Sequence, residues 1–368
     1  MSGFVEFDDV CKTYDGRANV VDRLQLAIAE GEFLSLLGPS GSGKTTTLMM
    51  LAGFERPTAG HIRLRGRPIE ALPPYKRNFG MVFQNYALFP HMTVGENLAF
   101  PLNVRGVNGS DAAARVKRAL DMVRLPGMEA RLPAQLSGGQ QQRVAVARAL
   151  VFEPQLILMD EPLGALDKQL REEMQFELRS LHERLGITTV YVTHDQAEAM
   201  TMSDRVAVFH LGRIQQIDAP QALYERPANL FVAGFVGENN RLPATVRALD
   251  GDGGCEVELA GGARLRGLSA DVAGAQPGAA AVVSVRPEQL SVRDAPAGDD
   301  NALAVQVLET IFLGSHVRVR LQSAAGELVA SVPAPLAAVL PAAGSNAVAC
   351  WPAASTVVFA AQVQSKMQ

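Results

Sequence analysis

The chain has 368 residues, of which 48% are hydrophobic and 20% charged, and its formal net charge is -4. At roughly 100–200 residues per domain, this length predicts two domains. The near-balance of 34 basic and 38 acidic side chains argues against nucleic acid as a partner, because binding to its phosphates favours a basic face. The cysteines Cys11, Cys255 and Cys350 are far apart and odd in number, so they predict neither a disulfide framework nor a metal site and fit a reducing cytoplasm.

Neither end of the chain predicts a targeting or membrane-spanning segment. The N-terminus lacks the basic stretch and following apolar stretch of a signal peptide. Residues 328–365 contain no charged side chain, but Pro333, Pro335, Pro341 and Pro352 interrupt them. A membrane-spanning helix needs about 20 consecutive, mostly apolar residues. We therefore expect short strands and turns here, and a membrane role would require a partner.

Strand and helix patterns alternate over roughly the first 235 residues, which predicts a mainly parallel sheet covered on both faces. Short apolar runs without polar alternation are typical of strands buried on both sides. Buried parallel strands are predicted at residues 33–37, 156–159 and 188–192, helices at 45–52 and 169–185, and flanking antiparallel strands at 5–7 and 61–65.

The composition changes after residue 240, where charged residues become rarer and alanine, valine, glycine and proline more frequent. Short apolar segments separated by turn residues predict a β-rich second domain, resembling an OB-like barrel. The predicted domains are residues 1–237 and 238–368. The strands of the second are predicted at residues 282–285, 305–307, 317–321 and 357–359.

A glycine-rich loop between the strand at 33–37 and the helix at 45–52 matches the pattern G-x-x-x-x-G-K-[ST] at every fixed position. Backbone N–H groups of such a loop, with the positive end of the helix dipole, bind phosphates. We expect Lys44 to reach the β- and γ-phosphates and Thr45 to bind Mg²⁺. The predicted ATP-binding residues of this segment are Gly38, Pro39, Ser40, Gly41, Ser42, Gly43, Lys44, Thr45 and Thr46.

Two acidic residues, Asp160 and Glu161, follow the apolar strand at 156–159. A carboxylate at the end of a strand near a phosphate-binding loop can hold Mg²⁺, which is the role predicted for Asp160. Glu161 is placed to polarise the attacking water. These motifs together indicate an NTPase but do not specify its class.

One further segment indicates which class of NTPase this is. It consists of Leu136, Ser137, Gly138, Gly139 and Gln140. Ser137 can cap a helix with Gln140 as its capping-box partner. The two glycines cost helix stability, yet they expose backbone N–H groups at a helix N-terminus, which suits a second γ-phosphate contact. The segment and the residues after it closely resemble the signature of ATP-binding cassette (ABC) ATPases, and with the other motifs this resemblance covers residues 4–235.

The resemblance implies an α/β P-loop NTPase with a RecA-like core and a helical subdomain, followed by a β-rich accessory domain of the TOBE type. It implies ATP and Mg²⁺ as cofactors and a second copy of the chain, which meets the first head to tail so that each signature segment faces the partner's ATP. Further roles are implied for an adenine-stacking Tyr14, a Q-loop Gln84 that contacts Mg²⁺, a D-loop Asp167 and a switch His194 at the γ-phosphate. Gly164 departs from the usual D-loop serine.

The segments at 77–91, 235–240, 285–288 and 311–315 resemble importers of polyamines, sugars, ferric iron and sulfate, and the last is most similar to the spermidine/putrescine branch. The resemblance implies a peripheral ATP hydrolase at the cytoplasmic face of the inner membrane. Its partners would be two permease subunits and a periplasmic or extracellular solute-binding protein, with no nucleic acid. Tyr86, Leu88, Phe89 and Pro90 are expected beside the groove for the permease, with ordinary packing as the alternative for Leu88 and Phe89.

Two alternatives of other classes remain at this point. A soluble ABC ATPase would act on nucleic acid or ribosomes and would associate with them and not with membranes. A P-loop kinase would transfer phosphate to an acceptor other than water, but it has no need of the signature segment.

Overall fold

The computed structural model describes residues 3–250, 253–270, 276–295 and 301–361. The chain divides into two compact units, one ending at Gln221 and the other beginning at Ala222. Within the second unit, the Arg286 guanidinium donates hydrogen bonds of 3.0 Å to the carbonyls of Tyr224, Ala233 and Glu238, which ties the segment before residue 238 to the strands after it. The domain boundary predicted at residues 237/238 stays a prediction.

The first unit alternates strands and helices as the sequence predicts. In chain order its elements are β1 (Val5–Thr13), β2 (Asn19–Ile28), β3 (Phe33–Leu37), α1 (Lys44–Ala52), β4 (Ala59–Leu64), β5 (Arg67–Pro68), β6 (Phe79–Val82), α2 (Val94–Val104), α3 (Gly109–Met122), α4 (Gly138–Leu150), β7 (Leu156–Asp160), α5 (Lys168–Leu185), β8 (Thr188–Thr193), α6 (Gln196–Met202), β9 (Arg205–His210) and β10 (Arg213–Asp218).

A six-stranded sheet in the order β10-β9-β3-β8-β7-β6 forms the centre of this unit. All neighbours are parallel except β10, which pairs antiparallel with β9. The predicted mainly parallel sheet is therefore confirmed. A second, antiparallel sheet has the order β2-β1-β4-β5 and includes both segments that the sequence assigns to antiparallel strands.

The parallel sheet is buried on both faces, and β7 illustrates how. Leu156 and Leu158 belong to an apolar cluster with side chains of α1 and the antiparallel sheet. Ile157 and Met159 belong to another cluster, with side chains of α2, α3, α4 and α5. Successive side chains of a strand point to opposite faces, so a strand covered on both sides is apolar throughout. Each fully buried leucine contributes about 1.5–3 kcal/mol.

Four adjacent strands end at the same edge of this sheet, in the order β3-β8-β7-β6. The residues that follow are Gly38 after β3, His194 after β8, Glu161 after β7, and Gln84 two residues beyond β6. Ligands of open α/β sheets bind outside the carboxyl ends of the strands. The fold therefore brings the predicted functional segments to a single edge.

The second unit is rich in β-structure. A closed barrel has the strand order β11-β12-β13-β20-β14, in agreement with the predicted barrel, and a separate sheet has the order β15-β19-β16-β17-β18. The strands predicted at residues 305–307 and 317–321 lie in this second sheet, which the sequence did not separate from the barrel. The elements are α7 (Pro220–Glu225), α8 (Leu230–Phe235), β11 (Asn240–Leu249), β12 (Gly254–Leu259), β13 (Arg264–Ser269), β14 (Ala280–Val285), β15 (Ser291–Arg293), β16 (Asn301–Phe312), β17 (His316–Ser323), β18 (Gly326–Pro333), β19 (Asn346–Trp351) and β20 (Thr356–Ala360).

The uncharged segment from residue 328 forms strands β18, β19 and β20 with 3-10 turns between them, as expected; its residues 362–365 lie outside the described residues. Over the described ranges, helices long and apolar enough to cross a membrane are absent. All three cysteines are free thiols.

A buried hydroxyl joins the barrel to the second sheet of this unit. Thr356 Oγ1 in β20 accepts hydrogen bonds from Trp351 Nε1 at 2.8 Å and from Asn301 Nδ2 at 2.9 Å. Thr356 is fully buried and Trp351 is almost so. The Asn301 amide also donates to the Arg266 carbonyl at 2.7 Å, whereas the Trp351 indole N–H donates to this oxygen, so the contact is a sensitive point for the stability of the unit.

We predict that Thr356→Val lowers the free energy of unfolding of the second unit by about 1–3 kcal/mol, because buried donors lose their acceptor. The chain has one tryptophan, so its fluorescence during urea unfolding follows this unit. Thr245→Val, at a half-buried position of β11, is the control and should change stability by less than about 0.5 kcal/mol. Equal unfolding midpoints for the two variants would contradict the prediction.

Candidate functional site

The loop between β3 and α1 has a backbone that two of its glycines make possible. Gly43, at the N-terminus of α1, has a φ of 100°, and a Cβ there would lie 2.6 Å from the Val20 carbonyl oxygen. A Cβ on Gly38 would lie 2.4 Å from the carbonyl oxygen of Phe209. Neither position can hold a side chain without moving backbone. The loop therefore closes tightly at the N-terminus of α1, where backbone N–H groups attract anions.

Lys44 lies inside this loop and is only 5% exposed. Its ammonium donates to the carbonyl oxygens of Gly38 and Pro39, both at 2.8 Å, and to Ser42 Oγ at 3.4 Å. Burial lowers the pKa of Lys44, an effect that the nearby carboxylates of Glu161 and Asp160 oppose. The loop carbonyls thus hold the cation where a phosphate could replace them as its partner.

Thr45 and Asp160 form the next pair. The Thr45 hydroxyl donates to Asp160 Oδ1 at 3.1 Å, which joins the first turn of α1 to the end of β7. Burial raises the pKa of Asp160, the Thr45 hydrogen bond lowers it, and the neighbouring Glu161 raises it. The result is a pKa above the ordinary value. A cation bound here would compensate the desolvated carboxylate.

The Glu161 carboxylate is held from both sides. Gln84 Nε2 donates to Oε2 at 3.3 Å, and His194 Nδ1 lies 3.1 Å from Oε1. Its backbone has a φ of 45°, in the left-handed region, and its N–H donates to the Val192 carbonyl at 3.0 Å. Such a conformation costs about 1–3 kcal/mol in a residue other than glycine and is often found at functional sites. Glu161 is therefore both oriented and accessible at the sheet edge.

The signature segment lies at the N-terminus of α4. Ser137 and Gln140 form the predicted capping box: Gln140 N donates to Ser137 Oγ at 3.3 Å and Ser137 N donates to Gln140 Oε1 at 3.0 Å. Gly138 and Gly139 pack so closely on Leu166 and Leu170 that Cβ atoms there would lie 3.1–3.4 Å from these side chains. Their lack of a side chain therefore also serves packing against the start of α5.

Asp167 caps α5, accepting from Leu170 N at 3.0 Å. Gly164 occupies a position where a Cβ would make only ordinary contacts, 3.5 Å from the Glu161 carbonyl oxygen and 3.8 Å from Gln84 Nε2. A Cβ would fit this space, so among the described residues no backbone or side chain requires glycine here. The consequence is that Gly164 contributes no side-chain contact to the neighbouring Gln84.

Hydrogen bonds and ion pairs join two groups of predicted residues at the sheet edge: Lys44 with its own loop and Thr45 with Asp160, and Glu161 with Gln84 and His194. Ser40 and Gly41 are exposed on the loop, Pro39 and Thr46 are half-buried, and Tyr14 is 62% exposed with the Lys12 ammonium 4.8 Å from its ring centre. Over the described ranges, the polar contacts of Leu136 and Ser137–Gln140 do not reach the phosphate-binding loop of the same chain.

Sequence reasoning misses Arg148 on α4. Its guanidinium donates to the carbonyls of Tyr86 at 2.8 Å and Ala87 at 2.7 Å, two and three residues after Gln84. Tyr86 and Ala87 both have positive φ, at 62° and 46°. Arg148 thus stabilises a strained turn. An arginine on a predicted helix carries no signal for such a distant carbonyl partner.

The oxygen donors at the edge fit a magnesium ion bound with a polyphosphate. Mg²⁺ prefers oxygen ligands and is typically held by one or two carboxylates together with phosphates and water. Here those donors are the Thr45 hydroxyl, the Asp160 carboxylate and the Gln84 side-chain amide oxygen. Among the described residues there is no cluster of three or more His, Cys, Asp or Glu side chains that would hold a metal alone. The arrangement therefore suits a metal that arrives with the phosphates.

We predict that Asp160→Asn stabilises the nucleotide-free protein at neutral pH. A carboxyl whose pKa is raised by folding weakens the folded state once the pH exceeds that pKa, because it must then be charged in a desolvated place. Asparagine removes the charge and can still accept from Thr45. The gain should shrink as the pH falls through the raised pKa, where wild-type Asp160 is also neutral.

Thermal unfolding of both proteins at pH 7 and at acid pH measures this effect. Asp204→Asn is the control of opposite sign. Burial raises the pKa of Asp204, but hydrogen bonds from the Phe33 N–H and from Arg179 lower it overall, so neutralising this carboxyl should destabilise the protein at pH 7. A lower unfolding temperature for Asp160→Asn at pH 7 would contradict the prediction.

Comparison with known proteins identifies both parts of the chain. Residues 21–164 match the ABC transporter family and residues 283–359 match the TOBE domain. The chain is 50% identical over 327 residues to the spermidine/putrescine import ATP-binding protein PotA of Rubrobacter xylanophilus, covering 89% of this chain and 85% of the relative. It is 56% identical over 240 residues to an uncharacterized ABC transporter ATP-binding protein, YdcT, of Escherichia coli, covering 65% of this chain and 71% of the relative.

A solved structure of a dimeric ATP-binding cassette, in a post-hydrolysis state bound to ADP and Pi, is 34% identical with a TM-score of 0.53 and covers 59% of this chain and 98% of its own. The predicted fold class, a P-loop NTPase followed by a TOBE-type domain, is confirmed. With relatives at this identity matched over most of their length, the chain belongs to the ATP-binding proteins of ABC transporters, which are ATPases coupled to transport.

Proposed function

We propose that this chain is the ATP-hydrolysing subunit of an importer whose cargo is a polyamine. The observation that carries the hydrolytic part is the Glu161 carboxylate, held by Gln84 and His194 beside the phosphate-binding loop. The assignment of the cargo rests on the 50% identity to a spermidine/putrescine import protein over most of both chains. Sugars, ferric iron and sulfate are the alternative cargoes.

ATP binding begins with an exchange of partners at Lys44. Its ammonium leaves the carbonyls of Gly38 and Pro39 for the β- and γ-phosphates, whose charge compensates the burial that lowers the pKa of Lys44. The backbone N–H groups of residues 40–46 surround the phosphates at the N-terminus of α1. The exposed ring of Tyr14 is the proposed stacking partner of adenine.

Hydrolysis uses water as the acceptor of the γ-phosphoryl group. Glu161 accepts a hydrogen bond from the attacking water and polarises it, while His194 contacts the γ-phosphate and keeps Glu161 in place. Thr45, Asp160 and Gln84 would hold Mg²⁺, which when bound neutralises charge on the phosphate oxygens. The products are ADP and inorganic phosphate.

A second copy of the chain completes the site. Ser137 and Gly138 are exposed at the N-terminus of α4, where their backbone N–H groups can meet the γ-phosphate of ATP bound to the other copy. The dimeric arrangement of the related cassette bound to ADP and Pi supports this proposal. ATP closes the head-to-tail dimer, and loss of the γ-phosphate bridge opens it.

The permease subunits contact the turn after Gln84, which transmits the opening and closing of the dimer to them. Leu88 packs partly against the core and Phe89 contacts Phe100, with ring centres 4.9 Å apart, so packing explains part of their role. Pro90 is exposed beside them, and Phe100 is 40% exposed. We assign this apolar surface to the contact with the permease. The complete importer would also contain a solute-binding protein. The chain itself would lie peripherally at the cytoplasmic face of the membrane.

We predict that Glu161→Gln lowers ATP turnover by about 10²–10⁴-fold, because the amide cannot act as a base toward water. ATP binding should persist and trap the closed dimer. Phosphate release measures turnover, equilibrium binding measures the affinity for ATP, and size-exclusion chromatography in ATP measures the fraction of dimer. Glu172→Gln, an exposed position on α5, is the matched control and should keep full turnover. Unchanged turnover in Glu161→Gln would refute the hydrolytic assignment.

We predict that the tagged chain, purified from detergent-solubilised membranes of its host, brings two multi-span permeases with it. Phe89→Ala should lose them, whereas Phe176→Ala, which removes a ring that is 67% exposed on α5, should retain them. Mass spectrometry identifies the partners, and ATPase stimulation of the complex by spermidine with the binding protein tests the cargo. Recovery of ribosomal or DNA-bound proteins without a permease would instead support a soluble ABC ATPase.

A further inference from the structure

Arg171, one turn into α5, joins two loops that are distant in the sequence. Its Nη2 donates to the Leu166 carbonyl at 3.0 Å, directly before Asp167. Its Nη1 donates to Asp195 Oδ2 at 3.1 Å, directly after His194, and its Nε lies 3.8 Å from Glu198 Oε1. One side chain therefore contacts both the segment at residues 164–167 and the segment that carries His194.

The carboxylates that Arg171 contacts organise the backbone on both sides of His194. Asp195 Oδ1 caps α6 by accepting from the N–H groups of Ala197 at 2.8 Å and Glu198 at 3.3 Å. Glu198 is buried, and its Oε2 accepts from Thr193 Oγ1 at 2.6 Å. The Asp195 N–H donates to that same Thr193 hydroxyl at 2.9 Å. The residues before and after His194 are thus locked in one hydrogen-bonded unit.

We propose that Arg171 is a positioning residue that holds His194 in contact with Glu161. It also couples the position of His194 to the segment at residues 164–167. The inference rests on the proposed function, because it assigns the 3.1 Å contact between His194 Nδ1 and Glu161 Oε1 to ATP hydrolysis. Arg171 itself makes no contact with Lys44, Thr45 or Asp160 among the described residues, so it acts through His194 and not on the nucleotide.

Arginine suits this task for a geometric reason. Its planar guanidinium presents several N–H donors in fixed directions, so one group donates to a carbonyl and a carboxylate at once while its charge lies 3.8 Å from a second carboxylate. A lysine ammonium keeps the charge but lacks this fixed set of donors. Loss of the charge leaves Asp195 and the buried Glu198 without their cation, which allows the loop around His194 to shift. A displacement of about 1 Å at a catalytic group can cost up to 10²-fold in rate.

The same helix contains a matched control. Arg179, two turns further along α5, donates to the Met202 carbonyl at 2.8 Å and to Asp204 Oδ1 at 2.9 Å. Its side chain is 29% exposed, as is that of Arg171. Arg179 therefore makes the same kinds of bond with the same exposure, but it binds the far end of α6 and not the loop of His194.

The test compares Arg171→Gln, Arg171→Lys and Arg179→Gln in the full chain. We expect Arg171→Gln to lower kcat by about 10- to 100-fold with KM for ATP within about 2-fold of wild type, because the ATP-binding loop is untouched. Arg171→Lys should lie between that variant and wild type and keeps the measurement possible if the glutamine variant does not fold. Arg179→Gln should lower the unfolding temperature to a similar extent and leave kcat unchanged.

A double-mutant cycle with His194→Ala separates positioning from general stability. If Arg171 acts through His194, Arg171→Gln lowers the residual single-turnover rate no further once His194 is gone. An equal fold-loss in both backgrounds, or a wild-type kcat in Arg171→Gln and Arg171→Lys, would overturn the inference. If those variants keep wild-type kcat while Glu161→Gln is inactive, only this inference fails. If Glu161→Gln keeps its turnover, the proposed function fails.

Discussion

The parallel pairing of β3, β8, β7 and β6 is the constraint on which the site depends. Their register pairs Leu36 with Val192 and Met159 with Val82, and both faces are buried, so the strands cannot slide without losing packing. One residue of a strand spans about 3.3 Å. A slip by one residue would therefore move Glu161 relative to His194 by about the length of the 3.1 Å contact between them, which would break that contact.

Arginines stabilise the segments around this edge through backbone carbonyls. Arg77 donates to the carbonyls of Met50 and Leu51 at the end of α1, Arg148 to those of Tyr86 and Ala87, and Arg171 to that of Leu166. A carbonyl at a helix end or in a strained turn has no regular partner, and a charged donor satisfies it more strongly than a neutral one. The loops at the site are consequently ordered through hydrogen bonds to their backbone carbonyls.

Charge at the site is arranged for a ligand and not for the stability of the nucleotide-free protein. Burial lowers the pKa of Lys44 and raises that of Asp160, so each is held where its charged form is disfavoured. The strained backbone of Glu161 adds to this cost. Triphosphate and a divalent cation would relieve these costs, because each brings the opposite charge.

The sequence alone determined the local features of this protein: the glycine-rich loop, the buried strands around residues 33–37 and 156–159, and the capping box of Ser137 and Gln140. Each depends on backbone preferences and periodicity within about ten residues, which sequence patterns report directly. Only the tertiary structure decided which distant groups meet. Arg148 reaches carbonyls some 60 residues earlier in the chain, and Arg171 reaches Asp195 24 residues later. Such polar contacts follow from how α4 and α5 pack on their neighbours, and no spacing in the sequence records that packing.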